Sequence, residues 1–218
     1  MPKPIFGIEK PMVIPWASDK LAEMQKSGEF VAELKLDEDR GFVCTDAAGV
    51  PSFYSHRHDT IAKMTGPVFD GVVLPPNSVF DGGHIYLKEL NRESRVYLFD
   101  VLVLNGEKLR IPFSERTTKL RELIKPTKHL WLSYQVHNFI DQFRDLLNGR
   151  FILLETLAAH WQIPMPVLKN LVEGFVIKRL DAKPAFPSSP KLETTASFKL
   201  RLNDVLPSQK NWLKGVKK

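Results

Sequence analysis

The stretch AELKLDEDRG, residues 32–41, sets one amine, Lys35, among the carboxylates Glu33, Asp37, Glu38 and Asp39, with Arg40 just after them. An ammonium among anions is held protonated and is a poor nucleophile. The same groups have a use if the chain binds a polyphosphate with a divalent metal. Carboxylates then hold the cation, and the amine and guanidinium face phosphate oxygens. Charged side chains interrupt apolar strands at three further places: Asp100 in YLFDVL, Glu173 and Lys178 in VEGFVIK, and Lys199 and Arg201 in SFKLRL. Residues two apart in a strand share a face. Glu33, Lys35 and Asp37 are therefore expected on one side, with Ala32, Leu34 and Leu36 toward a core. Lys199 and Arg201 are likewise expected side by side, backed by Phe198, Leu200 and Leu202. Any one of these strands reads as an amphipathic edge; carboxylates and cations segregated onto separate strands read as a site.

The histidines suggest different chemistry. His56 and His58 flank Arg57, and His84 follows two glycines. With no cysteine or third ligand nearby, solvated or phosphate-adjacent imidazoles are the better reading than a metal centre.

The elements that must position these groups are strand-rich at first. VAELKL and GFVCT read as strands, AAGVPS as a turn, and FYSHRH as a further strand. PPNSVFDGGHIYL reads as turn then strand, and SRVYLFDVLVL as a buried strand closed by the Asn105-Gly106 hairpin signal. The middle is helical. SERTTKLREL begins at Ser114 as an N-cap, and a stripe of Val136, Phe139, Ile140, Phe143, Leu146 and Leu147 ends at Gly149. FILLETLAAHWQI follows and stops before Pro164. Strands return in VEGFVIKRL and ASFKLRLN, separated by the loop DAKPAFPSSPKLETT. There is no internal repeat, and the class is α+β, antiparallel sheets with helices packed outside.

Bulk composition is that of an ordinary globular protein: 218 residues, 43% hydrophobic and 26% charged. No apolar run approaches the roughly 20 residues that cross a bilayer, and MPKPIFGIEKP lacks a signal core. The expectation is a cytoplasmic protein (host cytoplasm if viral) with no membrane partner. The single cysteine, Cys44, excludes an internal disulfide and a cysteine zinc cage. A net charge of +6 is a modest basic excess that suits a phosphate-bearing partner, and the last residues, KNWLKGVKK, form a basic tail.

In order along the chain, KLDEDR supplies Lys35, Asp37 and Arg40 at the spacing of K-x-D-G-x-R; YSHRHD aligns Arg57 with an S-R element; and VFDGGHIYL is similar to a D-G-E-L segment. VYLFDVLVLNG aligns Phe99 with an F-D element, EGFVIK matches E-G-x-V-x-K, and SFKLRL is similar to W-x-K-x-K. The chain thus resembles the covalent nucleotidyltransferase superfamily of ATP-dependent DNA ligases, RNA ligases and mRNA capping enzymes, over about residues 8–202. The lead-in EKPMVIP…GEFVAELK is similar to that of the DNA ligases in particular.

The resemblance implies an adenylation domain of nucleotidyltransferase (ATP-grasp-like) fold over residues 1–203, followed by a short tail at 204–218. It implies ATP and Mg²⁺ (or Mn²⁺), and a monomer acting on nicked double-stranded DNA, or on RNA. Lys35 aligns with the nucleophile that attacks the α-phosphate, forms lysyl-AMP and releases pyrophosphate. The AMP then passes to a 5′-phosphate, and a 3′-hydroxyl displaces it. Lys199 and Arg201 align with the groups on the α-phosphate, with Lys178 nearby. Glu33, Arg40, Arg57 and Phe99 align with nucleotide and nick contacts, Phe99 stacking on adenine. Asp37 and Glu173 would hold the metal.

Three departures stand out. Glu38 replaces the motif glycine, Gly83 replaces the glutamate of D-G-E-L, and only sixteen residues follow Leu202. An OB-fold needs on the order of 70, so none is expected. Three other readings remain: an RNA ligase, a capping guanylyltransferase, and a binding module that kept the fold and lost the chemistry.

Overall fold

The computed structural model describes residues 10–16, 18–57, 60–62, 64, 66–88, 90, 92–184 and 193–205. In chain order the elements begin with β1 (Lys10–Val13), α1 (Asp19–Ser27), β2 (Phe30–Leu36), β3 (Asp39–Thr45), β4 (Pro51–Ser55) and β5 (Thr60–Ile61). Then come β6 (Val79–Leu87), β7 (Glu93–Leu104), β8 (Glu107–Lys108), α2 (Phe113–Leu123), β9 (Leu130–Leu132) and β10 (Gln135–Val136). The last are α3 (Phe139–Leu147), α4 (Ile152–His160), α5 (Met165–Leu171), β11 (Val172–Arg179), β12 (Glu193–Arg201) and α6 (Leu202–Val205). The chain divides into two compact units.

The first unit is built on a five-stranded sheet ordered β1-β12-β11-β2-β10. Its register turns sequence alternation into two faces. Ala32, Ile177 and Phe198 form one cross-strand row, and Leu34, Phe175 and Leu200 the next; all six are buried. Against this apolar face lie α1, through Leu21 and Met24, and α3, whose Phe143 ring sits 6.1 Å from that of Phe175. The opposite rows run Glu33–Val176–Lys199 and Lys35–Gly174–Arg201. Gly174 has φ +137°, a conformation L side chains rarely adopt, and a Cβ there would run into the Leu200 carbonyl. It is the point where β11 bends past both neighbours, next to a register shift at Glu173.

The second unit is built on a sheet ordered β5-β4-β3-β6-β7-β8, with β9 added alongside β7. Val43, Phe53, Phe80, Val96, Leu98 and Val101 form its main core with Leu120 and Ile124 at the end of α2. The other face carries Phe42 and Cys44 with Val79 and Leu102. It also carries a buried bidentate pair in which Arg116 Nε and Nη2 each donate to Asp100 at 2.8 Å.

The α+β class holds, and the strands fall where alternation places them, but four local expectations change. The sheets are mixed: β1 runs parallel to β12, and β9 parallel to β7. Helix α2 starts two residues earlier than an N-cap at Ser114 would place it, at Phe113 after Pro112, so Ser114 lies inside the first turn and its carbonyl accepts from Thr117 and Thr118. Val136, assigned to the helical stripe, belongs to strand β10, paired with Ala32. Strand β4 ends at Ser55, which leaves His56 and Arg57 in a turn. His58, Glu89, the lead-in before Lys10, the loop at 185–192 and the basic tail from 206 lie outside the described residues.

Candidate functional site

Each unit carries a charged sheet face, and the candidate residues divide between them. On the five-stranded sheet, β2 delivers Glu33 and Lys35 to one side, and β12 delivers Lys199 and Arg201 to the same side two strands away. Between them β11 contributes Glu173 and Lys178. The Lys35 ammonium donates directly to Glu173 Oε2. Lys178 Nζ sits 2.6 Å from Glu33 Oε2. Glu33 is only 2% exposed, and a carboxylate that deep needs a partner. Gln135 on β10 approaches its other oxygen at 3.4 Å. Lys199 is half-buried, and Arg201 donates to Asp204 of α6 at 2.9 Å. Asp37 is exposed just past the end of β2, with its backbone N–H donating to Leu171 O at 2.7 Å.

On the seven-stranded sheet, Arg40 grips Asp81 with two hydrogen bonds, Nε to Oδ1 at 3.2 Å and Nη2 to Oδ2 at 2.7 Å. Its guanidinium lies over the Phe99 ring, 5.4 Å from the centroid, a favourable cation–π distance. Burial works against the Arg40 charge, but Asp81, helped by Glu38 and Asp100, outweighs it and raises the pKa, so Arg40 stays a cation. Phe99 is buried and meets Tyr97 edge-on at 6.0 Å. Arg57 is exposed in the turn after β4. His84 bonds Ser94 Oγ at 2.9 Å and packs near the Phe53 ring; burial lowers its pKa against the pull of Asp39.

The structure thus brings together Glu33, Lys35, Glu173, Lys178, Lys199 and Arg201 on one sheet face, and Arg40 with Phe99 on another. Sequence reasoning missed the partners Asp81 and Gln135. Asp81 was legible as a charge inside the strand VFDGG; Gln135 was not, because β10 is two residues long. Among the described residues no three His, Cys, Asp or Glu side chains converge as a protein-only metal cage.

No protein-family model and no curated protein matches the chain. Solved structures do. A Lig E DNA ligase, described as binding DNA with a minimal scaffold, aligns with 89% of this chain and 68% of its own at a TM-score of 0.53 and 14% identity. A mycobacterial DNA ligase D complexed with ATP and MES aligns with 90% of this chain and 60% of its own, TM-score 0.52, 13% identity. An archaeal ATP-dependent RNA ligase aligns with 91% of this chain and 48% of its own, TM-score 0.50, 15% identity. The chain therefore has the fold shared by ATP-dependent DNA and RNA ligases, and spans about two thirds or less of those molecules.

Proposed function

We propose that the chain is an ATP-dependent polynucleotide ligase that seals nicks in DNA through a lysyl-AMP at Lys35. One observation carries this reading: a half-buried lysine shares a sheet face with two carboxylates and three further cations, on a fold shared with ATP-dependent ligases. In the first step the Lys35 ammonium gives up a proton to solvent and its Nζ attacks the α-phosphorus of ATP. A P–N bond forms, the P–O bond to the β-phosphate breaks, and pyrophosphate leaves with that electron pair. A 5′-phosphate oxygen then attacks the same phosphorus and breaks the P–N bond. A 3′-hydroxyl finally loses its proton to solvent as its oxygen bonds to the phosphorus of the 5′-phosphate, and the phosphoanhydride P–O bond breaks so that AMP leaves with that electron pair. Lys199 and Arg201 stabilise the non-bridging oxygens on which charge resides. The Glu33–Lys178 pair lines the nucleotide pocket, while Arg40, Arg57 and Phe99 serve nucleotide and nick.

In this reading Glu173 and Asp37 would hold a magnesium or manganese ion. Such ions take one or two carboxylates and complete their shell with phosphate and water, so a protein cage is not required. Held by these carboxylates, the ion would supply positive charge near Lys35, which favours its free amine.

Purified protein incubated with α-labelled ATP and either metal, then resolved on a denaturing gel, is expected to carry acid-labile label that Lys35→Ala lacks. Nicked all-DNA and all-RNA duplexes then separate the substrates. Faster sealing of DNA supports the proposal, and sealing of RNA alone moves the chain to the RNA ligases. Label from GTP instead of ATP points to capping. A wild-type protein that takes no label and holds no AMP is a binding module.

A further inference from the structure

We propose that Asp204 competes with nucleotide phosphate for Arg201, a positioning role that rests on the adenylation reading of that sheet face. Arg201 is the last residue of β12, and α6 begins at once with Leu202, so no loop separates strand from helix. Leu202 is buried and anchors the turn, while Asn203 and Asp204 are exposed. The turn brings the Asp204 carboxylate back to the strand end, where Arg201 Nε donates to its Oδ2 at 2.9 Å. The two side chains are 39% and 34% exposed, so a ligand arriving from solvent can reach both.

Two other ion pairs on this face cross between strands. Lys35 of β2 meets Glu173 of β11, and Lys178 of β11 meets Glu33 of β2, so each ties β2 to β11. The Arg201–Asp204 pair ties nothing across the sheet. Its partners are three residues apart in sequence, and the acid rides on a helix of four residues. Exposed local pairs are worth little, so this one opens at small cost and leaves the sheet as it is. The planar fork of a guanidinium fits a carboxylate and a phosphate alike. Asp204 thus occupies the cation that the adenylation reading assigns to the α-phosphate. A triphosphate carries more negative charge than one carboxylate and displaces it; when the nucleotide leaves, Asp204 returns.

Calorimetric binding of α,β-methylene-ATP with Mg²⁺ tests this competition apart from the chemistry, because carbon replaces the bridging oxygen that must leave. The proteins are wild type, Asp204→Asn, Asp204→Glu, Arg201→Gln, and Arg201→Gln combined with Asp204→Asn, each checked for folding by thermal melt. Asp204→Asn is expected to bind about two- to fivefold tighter than wild type, and to speed self-adenylation at limiting ATP by a similar factor. Asp204→Glu keeps the acid and should restore wild-type binding. In the Arg201→Gln background Asp204→Asn should change nothing, since the contested group is gone. Weaker binding by Asp204→Asn would show that the acid orients Arg201 for phosphate, and equal binding that the pair is idle. Tightening that persists without Arg201 would be general removal of negative charge. Each of these overturns the proposal while the adenylation reading stands. A wild type that binds the analogue yet takes no label from ATP ends the adenylation reading, and the binding ratios still decide the competition. One that does not bind the analogue ends both.

Discussion

Two ion pairs, one in each unit, show how the same attraction can serve opposite ends. Arg116 and Asp100 are 4% and 9% exposed, and the guanidinium adds carbonyl partners at Ile111 and Ala182 to its two bonds to the carboxylate. Its donors are all directed into the protein, so the pair fixes α2 to β7. Lys35 and Glu173 are 23% and 34% exposed. Neither is saturated by that contact, because an ammonium has three donors and a carboxylate about four acceptor sites. A saturated pair is architecture, whereas a pair with spare capacity in reach of solvent can exchange its partner for a ligand.

The contrast is broken most decisively by deletion. Lys35→Ala is expected to reduce self-adenylation on the order of 10⁴-fold or more, to the detection floor, while stability shifts by no more than about 1 kcal/mol, as for a partly exposed pair. A large fall in Tm would mean that Lys35 is structural. Arg116→Met should do the reverse. It strands Asp100 in the interior and should cost about 3–5 kcal/mol in denaturant unfolding. Restoring most of that loss with Asp100→Leu in the same chain would show that the penalty belongs to the stranded charge.

The Glu33–Lys178 pair lies between these extremes and sharpens the comparison through its asymmetry. Lys178→Met removes the cation beside the buried Glu33, at a cost of about 2–3 kcal/mol. Glu33→Gln leaves a lysine, 16% exposed, whose stem can carry its charge toward water, at about 1 kcal/mol. Equal costs would place both groups in the same environment.

The smallest effect is a pH slope in the seven-stranded unit. Both His84 and His129 have pKa values lowered from 6.5. Burial is the main cause in each; Asp39 partly opposes it at His84, and Arg95 reinforces it at His129, where Glu93 pulls the other way and Lys128 adds to the lowering. A base with a depressed folded pKa binds more protons when unfolded, so stability present above 6.5 is lost as pH falls below it. Tm should decline over that interval, and less steeply in His129→Asn. A flat profile would contradict the two lowered values.

Strands carrying charge on alternate positions were readable because register along one strand is local. Glu33 and Lys35 share a face for the same reason that Ala32, Leu34 and Leu36 share the other. What lay across the strands was not readable. Nothing in the residues around 38 announces that Glu38 will rest on Gly83, or that Lys178 will find Glu33. Helix α1 escaped notice because it buries only Leu21 and Met24, too narrow a stripe to register as a period. Helix α5 was hidden by Pro164 and Pro166, which read as breakers although proline suits a helix's first turn. Val136 misled in the other direction, since its spacing of three from Phe139 mimics a helical face.

The central claim is that Lys35 is the nucleophile, and the most direct measurement is peptide mapping by mass spectrometry after incubation with ATP and Mg²⁺ or Mn²⁺. The account predicts one adenylyl group per chain, localised to Lys35, lost on adding pyrophosphate and absent from Lys35→Ala. An adenylyl group on another lysine, or none with either metal, would contradict it.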